Sequence, residues 1–328
     1  MGWATLVDAL RQSSFTIVEA WPLNTEMKGG RKKTNKAMLA SSIFLIAQKR
    51  KITSIGNYEQ ETRPELEQIV RERVDTLWDM GVSGADLVIA CVGAGLRAFT
   101  RFARVEYANG EEVPAERFLT EVETVVLEFI LGKLSKEVGA DSGRYSLAGL
   151  DPETRFYLLW RYTYKNADLD AGEAIIFANG THVELDGAHG LSSGKRALVE
   201  KKKSKYAVRH YVDRGDDDKL GLPTEEGQPA PLIDVLHRTL WLMEHQPHAI
   251  GKFLIEAGSN RDQMRLVVQA LTGPTLKGSE LSDVSPSEEL AVLAKLAANW
   301  RIVIDDAITS AREREDRRVG QHDIFGRG

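Results

Sequence analysis

Lys201, Lys202, Lys203 and Lys205 put four positive charges into the five residues KKKSK, flanked by Lys195, Arg196 and Arg209, with only Glu200 opposing them nearby in sequence. Such a cluster neutralises a phosphate backbone without reading its bases. The plainer reading is a hairpin tip kept soluble by lysines. A second basic run, GGRKKTNK, carries Arg31, Lys32 and Lys33 between two apolar stretches. It reads as a solvated hairpin loop or as a further phosphate contact.

Other chemistry-bearing residue types are sparse. Cys91 is the only cysteine and sits in the apolar run LVIACVGAG, which points to a buried, inert thiol. The VGAG in that run is a lone GxG without the rest of a nucleotide-binding fingerprint, so helix packing explains its glycines better. In HQPH, Pro247 breaks the geometry between His245 and His248, and no acid or cysteine has metal-ligand spacing to them. His210, Tyr211 and Asp213 are neighbours, but no nucleophile, metal cluster or paired-carboxylate spacing organises them.

The elements that must position these groups are mostly helical. GWATLVDALRQ has the spacing of an amphipathic helix. SSFTIVEAWP and ASSIFLIAQKR read as strands, and the apolar centre of the second predicts burial on both faces. TRPELEQIVRERVDTLWDMG reads as a helix with Thr62 as N-cap, Pro64 in the first turn and Gly81 as its stop. SGADLVIACVGAGLRAFTRF is ambiguous between buried strand and helix, its length and Ser83 favouring helix. VEYANGEEV predicts a hairpin turning at Asn109 and Gly110. PAERFLTEVETVVLEFILGKL and DPETRFYLLWRYTYKN follow as helices.

GEAIIFANG predicts another helix, and ALVEKKKSKYAVRHYV two strand arms around the lysine tip. A helix followed by a basic-tipped hairpin is the order of winged-helix domains. RGDDDKLGLPTEEGQPAP reads as a linker, followed by an all-helical region that ends in a frayed DRRVGQHDIFGRG. The expected class is α+β, mostly α.

Length and composition narrow the classes further. At 328 residues and 42% hydrophobic content the chain can bury substantial cores. A net charge of -5 supplies no global basic field, so any nucleic-acid contact must be local. A single cysteine excludes internal disulfides and cysteine-based zinc ribbons. No stretch approaches the roughly 18 apolar residues of a membrane span, and the expected location is the cytoplasm.

GWATLVDALRQSSFTIVEAWPLNTE followed by AMLASSIFLIAQKR resembles the end of the catalytic domain of adenine-specific DNA methylases that carry a zinc-ribbon insertion. SGADLVIACVGAGLRAFTRF, DPETRFYLLWRY, GEAIIFA, YVDRGDDDKLGLP and PLIDVLHRTLWLME resemble the C-terminal region of the same family, in the same order. The resemblance implies an S-adenosylmethionine-dependent fold whose sheet closes with an antiparallel hairpin. Residues 1–50 would be its last helix and two closing strands. The implied organisation continues with a helical region at 51–168, a winged-helix-like segment at 169–216, a linker at 217–230 and a helical region at 231–328.

Amino methylation of adenine in this family needs a tetrapeptide of the Asp-Pro-Pro-Tyr type, which holds the amino group of a flipped base and stacks on it. Here the sole Asp-Pro, at Asp151 and Pro152, continues into Glu153 and Thr154. The glycine-rich cofactor loop and the zinc ribbon are missing as well. No catalytic, cofactor-binding or metal residue of the family carries over, and S-adenosylmethionine is implied only for a complete enzyme. The resemblance therefore implies two partners: DNA, and a polypeptide bearing the cofactor-binding and catalytic motifs. The alternative is a non-enzymatic DNA-binding or scaffolding protein derived from such a methylase.

Overall fold

The computed structural model describes residues 2–23, 42–51, 53–139, 147–273 and 288–325. The class is α+β, mostly helical, with a few short strands. The chain divides into two compact units. Unit 1 comprises Met1–Leu134, Leu159–Leu185 and Lys201–Ala207, and unit 2 comprises Ser135–Leu158, Asp186–Glu200 and Val208–Gly328.

Unit 1 opens with helix α1 (Gly2–Gln12) and the antiparallel pair β1 (Phe15–Leu23) and β2 (Ser42–Lys49). A bulge between Ile17 and Glu19 inserts one residue into β1. Strand alternation would send Ile17 and Ala20 to opposite faces, but the extra residue lets both be fully buried. The Ile17 amide donates to Thr100 Oγ1 at 2.9 Å, pinning β1 to helix α3 (Gly84–Thr100).

α3 packs on α2 (Arg63–Asp79). Thr62, expected to cap α2, is already helical and makes no capping bond. A π-helical turn at Tyr58–Thr62 feeds directly into α2, which moves the cap upstream to Asn57. Asn57 Oδ1 accepts from the Gln60 amide and Glu61 Oε2 from the Asn57 amide, both at 2.8 Å, a reciprocal box of the kind that satisfies free N-terminal donors. Ser83 precedes α3 in extended conformation, but its side chain forms no capping bond.

The ambiguous apolar run is the helix α3. A Cβ at Gly95 would lie 2.7 Å from Val122 Cγ1 and 2.9 Å from Leu66 Cδ1, so this glycine of VGAG serves close helix packing. Strands β3 (Ile55–Asn57) and β4 (Arg104–Glu106) pair in parallel, and the chain turns back after β4 through Asn109 and Gly110 to a bridge between Glu106 and Glu112. Helices α4 (Ala115–Glu137) and α5 (Pro152–Tyr164) follow.

β5 (Leu169–Asp170), β6 (Val199–Lys202) and β7 (Lys205–Val208) form a three-stranded sheet in the order β5-β7-β6, with α6 (Ala171–Gly180) after β5. The order of helix then basic hairpin is thus present. Residues 181–198, between them, hold turns and bends and no helix that could enter a groove.

Unit 2 contains α7 (Tyr211–Arg214), α8 (Leu232–His245), α9 (Ile250–Ala257), α10 (Arg261–Thr272), α11 (Glu288–Ala298) and α12 (Ala307–Phe325). In the stretch read as a linker, Leu220 is fully buried and Gly221 lies against the Val235 backbone. Helix α12 continues to Phe325, into the segment expected to fray, and a Glu313–Arg317 pair one turn apart lies within it.

A Cβ at Gly251 would stand 2.1 Å from Ala307 O, so α9 and α12 meet backbone to backbone. Gly251→Ala is expected to cost about 1–3 kcal/mol through overpacking. Hydrogen exchange should show faster amides in α9 and in the first turns of α12; unaltered protection there would refute the contact.

Candidate functional site

Three places in the structure concentrate unusual chemistry. The first is the β1–β2 hairpin of unit 1. The sequence predicts a β2 buried on both faces, whereas in the described chain Phe44 is 57% and Ile46 42% exposed. Trp21, opposite Phe44 in the register, is also exposed, as is Leu6 of α1. The reason is topological: among the described residues β1 is the only strand beside β2, so an apolar strand has one paired edge and an uncovered face. The basic loop with Arg31, Lys32 and Lys33 lies outside the described residues.

The second is the lysine hairpin. The expectation that only Glu200 opposes its charge is corrected by the fold. Lys202 Nζ lies 3.7 Å from Asp168 Oδ1 and Lys205 Nζ 3.8 Å from Asp170 Oδ1. β5 runs antiparallel to β7 with Asp170 directly opposite Lys205, so two acids more than 30 residues earlier in the chain meet the lysines. The ammonium of Lys201 sits over the Tyr206 ring, and Lys203 occupies the turn with a φ of +56°.

The flanking cations belong to unit 2 and mostly hold backbone. Arg209 donates Nη1 to Lys195 O at 3.1 Å and Nη2 to Asp213 O, and its amide to Leu198 O. Arg196 Nη1 reaches Lys219 O at 3.3 Å, and Lys195 Nζ lies 3.8 Å from Asp217. Arg209 is therefore a brace between the segments on either side of the hairpin.

The third is a buried polar cluster of unit 2 that sequence reasoning did not assemble. Three segments far apart in sequence meet there: DPETRFY, YVDRG and PLIDVLHR. Asp151 accepts from the Thr154 amide at the start of α5 and from the Leu232 amide at the start of α8, at 2.8 and 3.0 Å. Thr154 Oγ1 accepts from the Ile233 amide at 2.8 Å. One Asp-Thr pair thus satisfies orphan donors of two helices. Arg214, nearly inaccessible, donates to Asp234 Oδ1 at 2.7 Å and to Arg196 O. Burial pushes the Asp234 carboxyl up and the Arg214 guanidinium down, and their pairing opposes both shifts.

Glu289 of α11 is the hub of this cluster. Its Oε2 accepts from Tyr157 Oη at 2.7 Å and from His210 Nδ1 at 3.0 Å, and its Oε1 from the Tyr211 amide at 3.4 Å. The carboxylate fixes the His210 proton on Nδ1, the orienting arrangement of acid–base histidines. No nucleophile adjoins it in the hydrogen bonds described, and no group of three or more potential ligands could hold a metal ion among the described residues. His237 Nε2 lies 3.4 Å from Glu289 Oε1, and burial pushes its imidazole down to about 4. The chemistry available is that of a buried, hydrogen-bonded scaffold. Its only sequence signal was a scatter of polar residues within apolar helical patterns.

One other histidine and the thiol are accounted for. His245 stacks on Trp241 and bonds its carbonyl through Nδ1, and Cys91 is buried, its thiol pushed up to about 12 by desolvation. No described helix is long and apolar enough to cross a membrane. No family model, curated protein or solved structure matches this chain.

Proposed function

We propose that this chain is the C-terminal part of an S-adenosylmethionine-dependent adenine-specific DNA methyltransferase. Its α1, β1 and β2 close a catalytic sheet whose other strands, cofactor loop and Asp-Pro-Pro-Tyr-type tetrapeptide lie on another polypeptide segment. The observation that carries the reading is the apolar, exposed β2. A two-stranded ribbon is marginal by itself, and a flat apolar strand with an open edge is a template for another strand. Addition to a larger sheet would cover Phe44, Ile46 and Trp21 together.

The glycines of VGAG are inside α3, with Gly95 pressed against Val122 and Leu66, so they form no cofactor loop. No step of methyl transfer is therefore assigned to this chain. Its lysine hairpin supplies contacts to the DNA backbone.

The test is reconstitution. A polypeptide carrying the cofactor loop and tetrapeptide is purified alone and together with this chain, and transfer of labelled methyl groups to adenine-containing duplex is measured. Transfer is expected only from the pair. Phe44→Asp with Ile46→Asp should abolish both complex and transfer while leaving the stability of the isolated chain unchanged, because both side chains are exposed there. A tight complex that transfers no methyl group, or no complex at all, would refute the reading.

A further inference from the structure

We infer that the lysine hairpin of unit 1 is a phosphate-backbone contact whose strength is set by a built-in competitor, the carboxylates of Asp168 and Asp170. The inference rests on the DNA contact proposed above and adds how that contact is tuned. Alternation along β5 sends Leu169 into the core opposite Tyr206, both almost fully buried, and leaves Asp168 and Asp170 on the other face beside Lys202 and Lys205.

The separations of 3.7 and 3.8 Å exceed the roughly 2.7–2.9 Å of a tight charge-assisted bond. One member of each pair is well exposed, Lys202 at 47% and Asp170 at 76%, while Asp168 and Lys205 are half-buried, so each pair opens to solvent on one side and is exchangeable. A phosphate that engages Lys202 or Lys205 must displace an aspartate rather than only a mobile ion. Binding is then weaker, and less dependent on salt, than the number of lysines implies. An enzyme that must leave one site to modify another gains a contact that releases readily.

Affinity of the full chain for a short fluorescent duplex of mixed sequence would be measured across a series of salt concentrations. Asp168→Asn with Asp170→Asn should bind about 10-fold more tightly, since two surface pairs of up to about 1 kcal/mol each no longer compete. The logarithmic salt dependence should steepen by up to about 2, close to one released ion per freed lysine. Asp170 makes no side-chain capping bond at the start of α6, so asparagine keeps that helix start. Glu225→Gln with Glu226→Gln, exposed and in unit 2, changes net charge equally and should leave affinity and slope unchanged.

If the Lys201, Lys202, Lys203 and Lys205→Glu variant loses binding while the asparagine variant equals the parent, the competitor is refuted and the DNA contact stands. If the glutamine control tightens binding as much as the asparagine variant, the effect is global charge and the competitor is refuted. If neither the parent nor the asparagine variant binds DNA, the contact itself falls.

Discussion

Replacing Glu289 with alanine is expected to destabilise unit 2 by about 3–5 kcal/mol, the usual cost of removing one member of a buried, hydrogen-bonded charged group. The carboxylate is 2% exposed and receives Tyr157 Oη, His210 Nδ1 and the Tyr211 amide. Those donors come from α5, from His210 at the N-cap of α7 and from the first residue of α7, while α8 contributes His237 at 3.4 Å. Without the carboxylate the buried donors lose their acceptor, and each unsatisfied group costs about 1–3 kcal/mol. Hydrogen exchange should show lost protection in α5, α8 and α11 together. Glu289→Gln, which keeps an acceptor but no charge, should fall between the two. Unchanged exchange in all three helices after the alanine substitution would mean that apolar packing alone holds them.

The second large effect is a loss of stability of unit 2 on acidification. His237 is fully buried, and its imidazole is held at about 4 against an ordinary value of 6.5. Desolvation is the main cause. The unfolded chain takes up a proton as pH falls through 6.5, whereas the folded unit resists until about 4. Stability is thus fully present above 6.5 and declines across that window by about 3 kcal/mol. His237→Phe, which removes the titration and retains a ring beside Tyr157, should flatten the unit 2 profile. A profile of the same slope in that variant would assign the acid response elsewhere.

Unit 1 should respond in the opposite sense. Glu123 has a buried Oε2 with no hydrogen-bond partner among the described residues, and desolvation, aided by Glu173, raises its carboxyl to about 8. Folding then favours the protonated acid, a contribution present at low pH and lost as pH rises toward 8. Glu123→Gln should remove that loss between 4.5 and about 8. Exchange rates followed by peptide can separate the two opposing profiles in one experiment.

Helical periodicity and local punctuation determined most of the elements in advance. The apolar repeat of α3, the Asp151–Pro152 start of α5 and the turn at Asn109 and Gly110 depend on residues within a few positions of one another, so a linear reading reaches them. The same is true of the lysine tip and of the strand character of β2. Where a local signal had a nearby rival, it misled: Thr62 lost its capping role because the chain was already helical from Tyr58.

Tertiary structure alone decided which of these local features meet. Asp168 and Asp170 oppose the lysines only because β5 pairs with β7, and Glu289 reaches His210 across 79 positions. Such pairings depend on the register of distant segments, on which neighbouring residues carry no information. The exposure of β2 is of the same kind. Apolar composition states that a strand is made to be covered, but what covers it is a property of the surrounding chain, and in the described residues of unit 1 that cover is missing.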